Sequence, residues 1–119
     1  MKKALVAPLL AAGACAHAAS PAPTAPGCDL TVSFGSYAMG IDRPALARVR
    51  RILAHRDVRS VEDIQAGREG EIALCVRTRT AAAAGRLFNR IRAVLPANPR
   101  GPISAGTASG LRLHVPPRR

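Results

Sequence analysis

Apolar and polar residues alternate from Asp29 to Phe34: Leu30, Val32 and Phe34 on one parity, Asp29, Thr31 and Ser33 on the other. A period of two is that of a strand with one buried face. Residues 35–40 (GSYAMG) break the pattern and read as a loop. Asp42 can then cap a helix, and Pro44 suits a first helical turn. Ile41, Ala45, Val49, Ile52 and Leu53 share one face at helical spacing, and Arg43, Arg48, Arg50 and Arg51 fall largely off it. This helix is predicted to end near His55. From Val58 to Ala66 the pattern is less regular. Val61 and Ile64 cannot both face inward in a regular strand, which predicts a bulge or a short twisted strand. Residues 67–70 (GREG) are a turn. Ile72, Leu74 and Val76 then alternate with Ala73, Cys75 and Arg77, a third strand. Thr80 caps a second helix whose stripe is Ala84, Leu87, Phe88, Ile91, Val94 and Leu95, and Pro96 ends it. After a loop at 97–101, Ile103–Thr107 is a strand and Ala108–Gly110 a small turn. Leu111, Leu113 and Val115 alternate with Arg112 and His114. The last segments read either as one strand that bends or as an extra C-terminal hairpin. Residues 116–119 are predicted to be a disordered tail.

The order strand, helix, strand, strand, helix, strand is two βαβ halves. It predicts an α+β fold: a ferredoxin-like βαββαβ two-layer sandwich over residues 28–115. Such a fold has a four-stranded antiparallel sheet with two helices on one face. In architecture the chain from Cys28 to about Val115 resembles ferredoxin-like small binding domains, heavy-metal-associated domains among them. The resemblance implies a ligand loop between the first strand and the first helix, where those domains carry a metal-binding CxxC. This chain has GSYAMG there, without cysteine. Met39 by itself is a poor soft-metal site, so neither a metal nor another cofactor is expected.

Ahead of the domain, Met1, Lys2 and Lys3 precede an uncharged run from Ala4 to Ala14. That run is shorter than the roughly 20 apolar residues that span a bilayer. Ala16-His17-Ala18 offers a small-residue cleavage site after Ala18. Residues 1–18 therefore read as a signal peptide. Residues 19–27, rich in Ala and Pro, read as a disordered linker. A second route is open: Ala12-Gly13-Ala14 precedes Cys15, which would make Cys15 a lipidation site and the protein a membrane-anchored lipoprotein. On either route Cys28 and Cys75 remain as an even pair, and an exported protein would form a disulfide between them. In the predicted sheet the two lie where the first strand starts and the third ends. Their parities differ, however. Cys75 belongs to the helix-free face and Cys28 to the core face, so a bridge requires Cys28 to leave the pleat.

Charge adds a partner class. The chain carries 18 Lys+Arg against 7 Asp+Glu, a net +11, and its only lysines are Lys2 and Lys3. Without those two the remainder stands at +9 (+11 less the two leader lysines). Such a balance attracts polyanions. For an exported, periplasmic or secreted protein, an anionic envelope surface or a protein partner is expected, and nucleic acid is not. Aromatic residues make up 3% of the chain, which leaves little for base stacking on the open sheet face at Asp29, Thr31, Ser33, Ala73, Cys75 and Arg77. No transmembrane helix is expected in the mature form.

Candidate chemistry is sparse. No Ser/His/Asp or Cys/His set can be assembled, and His55 and His114 lack ligand spacing with any Cys, Asp or Glu pair. The carboxylates Glu62, Asp63, Glu69 and Glu71 fall on exposed strand and turn positions. The expectation is a non-enzymatic binding domain. Its unusual segment is Phe34–Arg43, with the only Tyr of the chain. Tyr37, Met39 and Arg43 form a candidate ligand or partner contact, which would make the domain a small-ligand sensor or carrier. Alternatively, Tyr37 and Met39 cover the end of the core. Arg86 and Arg90, four residues apart on one helix, form a candidate anion contact.

Overall fold

A computed structural model of the protein describes residues 27–116. The expected signal peptide, the cleavage site at Ala18, Cys15, the linker up to residue 26 and the tail from 117 lie outside the described residues. The elements are β1 (Leu30–Phe34), α1 (Arg43–Leu53), β2 (Val58–Gln65), β3 (Ile72–Thr78), α2 (Ala81–Val94), β4 (Ile103–Thr107) and β5 (Arg112–Val115). They form an α+β fold with a five-stranded sheet in the order β2-β3-β1-β4-β5, every neighbouring pair antiparallel.

The expectation of four strands is corrected by the C-terminal hairpin. Thr107 Oγ1 accepts from the Leu111 N–H at 3.1 Å, and the Gly110 N–H bonds the Thr107 carbonyl at 3.0 Å. Gly110 sits at φ +115°, a conformation that side chains with a Cβ rarely adopt. The tight turn folds β5 back, so that Ala105 faces Leu113 and Ile103 faces Val115. A single bent strand would leave these backbone groups without a ladder partner.

One hydrophobic cluster joins the helices to one face of the sheet. Leu30, Val32 and Phe34 from β1, Leu74 and Val76 from β3, and Ile103 and Ala105 from β4 meet Leu46, Val49 and Leu53 of α1 and Leu87, Phe88 and Ile91 of α2. The register explains the shared face: Leu30 pairs with Val76 and Val32 with Leu74, so the apolar parities coincide. Leu46 joins this core, although it lies outside the stripe expected for α1. The helix stops at Leu53, earlier than expected, because the Ala54 N–H turns back to the carbonyls of Arg50 and Arg51.

Both helix starts form as the sequence predicts. The Ala45 N–H donates to Asp42 Oδ1 at 3.0 Å, and the Ala83 N–H donates to Thr80 Oγ1 at 3.0 Å. Asp42 does more, because its Oδ2 accepts from the Arg100 N–H at 3.0 Å. That bond fastens the loop after α2 to the start of α1.

β2 is a sheet edge, with a register shift between Val58 and Ser60. Val61 lies opposite Val76 and Ile64 opposite Ala73, which puts them on different faces. Both are exposed, because a strand with one neighbour gains full cover on neither side.

Cys28 and Cys75 form a disulfide with a Cα–Cα distance of 5.4 Å. Cys28 precedes β1, where the backbone has not yet entered the pleat. It therefore reaches Cys75, which faces Thr31 on the helix-free side. The Asp29 side chain holds this entry by accepting the Thr78 N–H at 2.8 Å.

Candidate functional site

The helical layer concentrates the charge of the domain. α1 carries Arg43, Arg48, Arg50 and Arg51, α2 carries Arg86, Arg90 and Arg92, and neither helix contains Asp or Glu. The apolar stripes turn inward, so the arginines are left on the outer surface, and all of them are exposed.

Some of these guanidinium groups are engaged. Arg50 makes a two-pronged contact with Asp63 of β2, at 3.1 and 2.9 Å. These bonds hold the Asp63 carboxyl below its ordinary range and the Arg50 guanidinium above its own. Arg86 reaches Asp57 at 3.4 Å. Arg92 lies over the Phe88 ring, 5.4 Å from its centroid.

Arg48, Arg51 and Arg90 are placed differently. Together with Ile52 and Val94 they line an open groove of about 280 Å³ between α1 and α2. Among the described residues no carboxylate pairs with them. Of the two arginines singled out from sequence, Arg90 thus belongs to this groove, whereas Arg86 sits beside Asp57. Arg48 and Arg51 could be singled out only once α1 was known to lie against α2.

The Phe34–Arg43 segment joins β1 to the start of α1. Ser36 Oγ accepts from the N–H groups of Ala38 (2.8 Å) and Gly40 (2.9 Å) and donates to Glu69 Oε1 at 2.6 Å. The tip between these bonds is exposed, Tyr37 by 56% and Met39 by 91%. Neither residue covers the core. Ala38 holds φ at +110°, a strained conformation for a residue with a Cβ. The Arg43 side chain lies near Gly70 in the β2–β3 turn, and no hydrogen bond or ion pair among the described residues joins it to Tyr37 or Met39.

The open face of the sheet presents Thr31, Ser33, Ala73, Cys75 and Ser104, small side chains around the disulfide. His114 lies on that face of β5, paired with Ser104 across the ladder. His55 Nδ1 accepts the Asp57 N–H at 3.0 Å, which shapes the turn after α1. A second groove, about 430 Å³, runs between the end of α2 and β5, with Leu95, Pro96, Leu113, Val115, Arg92 and Arg112 among its lining residues.

Among the described residues no group of three or more His, Cys, Asp or Glu is placed to hold a metal ion. No helix among them is long and apolar enough to cross a membrane. Comparison with family models, with curated proteins and with solved structures returned no match.

Proposed function

We propose that the chain is an exported, non-enzymatic domain of ferredoxin-like topology that attaches to anionic envelope surfaces through its helical layer. The observation that carries this reading is the charge of that layer: seven arginine positions across two neighbouring helices, and no carboxylate within either. A one-signed surface of this kind raises the local concentration of anionic partners and weakens as salt screens it. Export is supported by the leader pattern of residues 1–18 and by the Cys28–Cys75 disulfide. The ferredoxin-like reading is supported by the antiparallel order β2-β3-β1-β4, with β5 added at the edge.

Vesicle co-sedimentation tests the function. The protein should pellet with vesicles containing phosphatidylglycerol in low salt, pellet much less in high salt, and stay in solution with phosphatidylcholine alone. Equal recovery with both vesicle types would reject the reading. Intact mass of the exported form distinguishes cleavage after Ala18 from lipidation at Cys15.

A second reading, a small-ligand sensor, draws on the exposed tip at Tyr37 and Met39 and the strained Ala38 between them. Strain of this kind gathers at ligand sites. A thermal-shift screen against small metabolites tests it, and Tyr37→Ala should abolish any shift found.

A further inference from the structure

We propose that the groove between α1 and α2 is a one-to-one site for a phosphate group carried on an aliphatic chain, the headgroup end of an anionic lipid. The proposal rests on the helical layer being the anion-facing side, and it replaces a diffuse charged surface with a defined pocket.

The two helices supply matching chemistry. Arg48, Arg51 and Ile52 stand at i, i+3 and i+4 on α1, and Arg90 and Val94 at i and i+4 on α2, so each helix offers guanidinium beside aliphatic side chain on one flank. The backbone that presents them is fixed from beneath, because Val49, Leu87 and Ile91 are buried in the core. The geometry is therefore held by packing and does not depend on the ligand.

The pairing of the other arginines singles this set out. Arg50 is committed to Asp63, Arg86 to Asp57, and Arg92 to the face of Phe88, while Arg43, without a carboxylate among the described residues, lies beside Gly70 and does not line the groove. Arg48, Arg51 and Arg90 line one groove without a carboxylate partner among the described residues. Their mutual repulsion is relieved by a bound anion. Guanidinium forks match the oxygens of a phosphate, and such charge-assisted bonds are the strong ones.

Ile52 and Val94 decide between a free and a lipid-borne phosphate. Both are half-buried and line the same groove as the arginines. Inorganic phosphate gains nothing from them. A phosphate with an attached glycerol and acyl segment covers them and gains from each methylene removed from water. At about 280 Å³ the groove admits the headgroup and the first part of a chain, not a whole lipid.

The test is calorimetric titration of the purified protein with dihexanoyl phosphatidic acid below its micelle concentration. Inorganic phosphate and dihexanoyl phosphatidylcholine serve as parallel probes. One-to-one binding of the phosphatidic acid is expected, with inorganic phosphate about tenfold weaker or more. Arg48→Gln and Arg90→Gln should each weaken binding by about fivefold to tenfold. Arg50→Gln and Arg86→Gln, equal in charge change, should weaken it by less than about twofold. These positions are exposed, and unchanged circular dichroism establishes that each variant folds. Equal losses in all four variants, or equal affinity for inorganic phosphate, would overturn the groove as a lipid-phosphate site. Vesicle co-sedimentation of the wild-type protein separates the two failures. If the vesicles still bind in a salt-dependent way, the surface reading stands without the groove; if they do not, both fall.

Discussion

Asp42→Ala removes one carboxylate that does two jobs. Asp42 is 8% exposed, and each of its oxygens accepts a backbone N–H at 3.0 Å, from Ala45 at the start of α1 and from Arg100 in the loop after α2. The cap by itself is worth about 1 kcal/mol. The bond from Arg100 is charge-assisted and partly shielded, worth about 1.5 kcal/mol, and its loss strands a donor. Asp42→Ala should therefore cost about 2–3 kcal/mol, or a fall in Tm of about 10–20 °C for a domain of this size. Asp42→Asn separates the two jobs. Its amide oxygen still caps α1, but its NH2 group cannot accept from Arg100. The variant should lose about 1–2 kcal/mol and fall between the wild type and Asp42→Ala. Urea unfolding followed by circular dichroism measures the order, with the disulfide intact in all three proteins. Amide exchange at Arg100 should speed up in both variants, and at Ala45 in Asp42→Ala alone. If Asp42→Asn is as stable as wild type, or Asp42→Ala loses less than about 1 kcal/mol, the two-bond account is wrong.

Three further outcomes are expected. The Cys28–Cys75 bond spans a sequence separation of 47, so the Cys28→Ala/Cys75→Ala double variant should lose about 4 kcal/mol by the chain-entropy relation; a urea midpoint equivalent to less than about 1 kcal/mol lost would contradict it. Asp63, held below its ordinary range by the Arg50 hydrogen bonds, binds protons less readily when folded than when unfolded. Its contribution is therefore present above about pH 4 and is lost as pH falls through the folded value. Because Asp63 and Arg50 are 49% and 42% exposed, the pair is worth about 0.5 kcal/mol or less, and the difference between wild type and Asp63→Asn should shrink as pH falls below about 4; a difference that stays constant on acidification would count against the linkage. Ala38→Gly should stabilise the domain by about 1 kcal/mol, because glycine accepts the φ of +110° that strains alanine; a lower Tm would show that the conformation is not costly.

The arginine-rich layer also bears on self-association. Like charges over one surface repel a second copy, at the cost of some self-repulsion within the fold. The partnerships of Arg50 with Asp63 and Arg86 with Asp57 draw on carboxylates outside the helices, from β2 and the loop before it. On the helices, Arg48, Arg51 and Arg90 at the groove have no such carboxylate among the described residues.

By itself the sequence determined the local elements. Alternation at Leu30, Val32 and Phe34, the stripe from Ala84 to Ile91, and the caps at Asp42 and Thr80 depend on neighbours within a turn or a pleat, so a linear pattern carries them. The pairing of Cys28 with Cys75 was legible from the count of cysteines, but not how their opposed parities are reconciled. That required Cys28 to precede β1, a consequence of where the ladder with β3 begins. Tertiary structure alone decided the rest. The fold-back of β5 depends on its backbone groups pairing with β4, and the alternation along residues 103–115 fits a bent strand as well as a hairpin. The second bond of Asp42 joins residues 58 positions apart. The groove of Arg48, Arg51 and Arg90 comes from two helices meeting side by side on one face of the sheet. Along the chain those arginines look like any others, because which charges converge and which find carboxylates is set by the packing of elements and not by spacing within one.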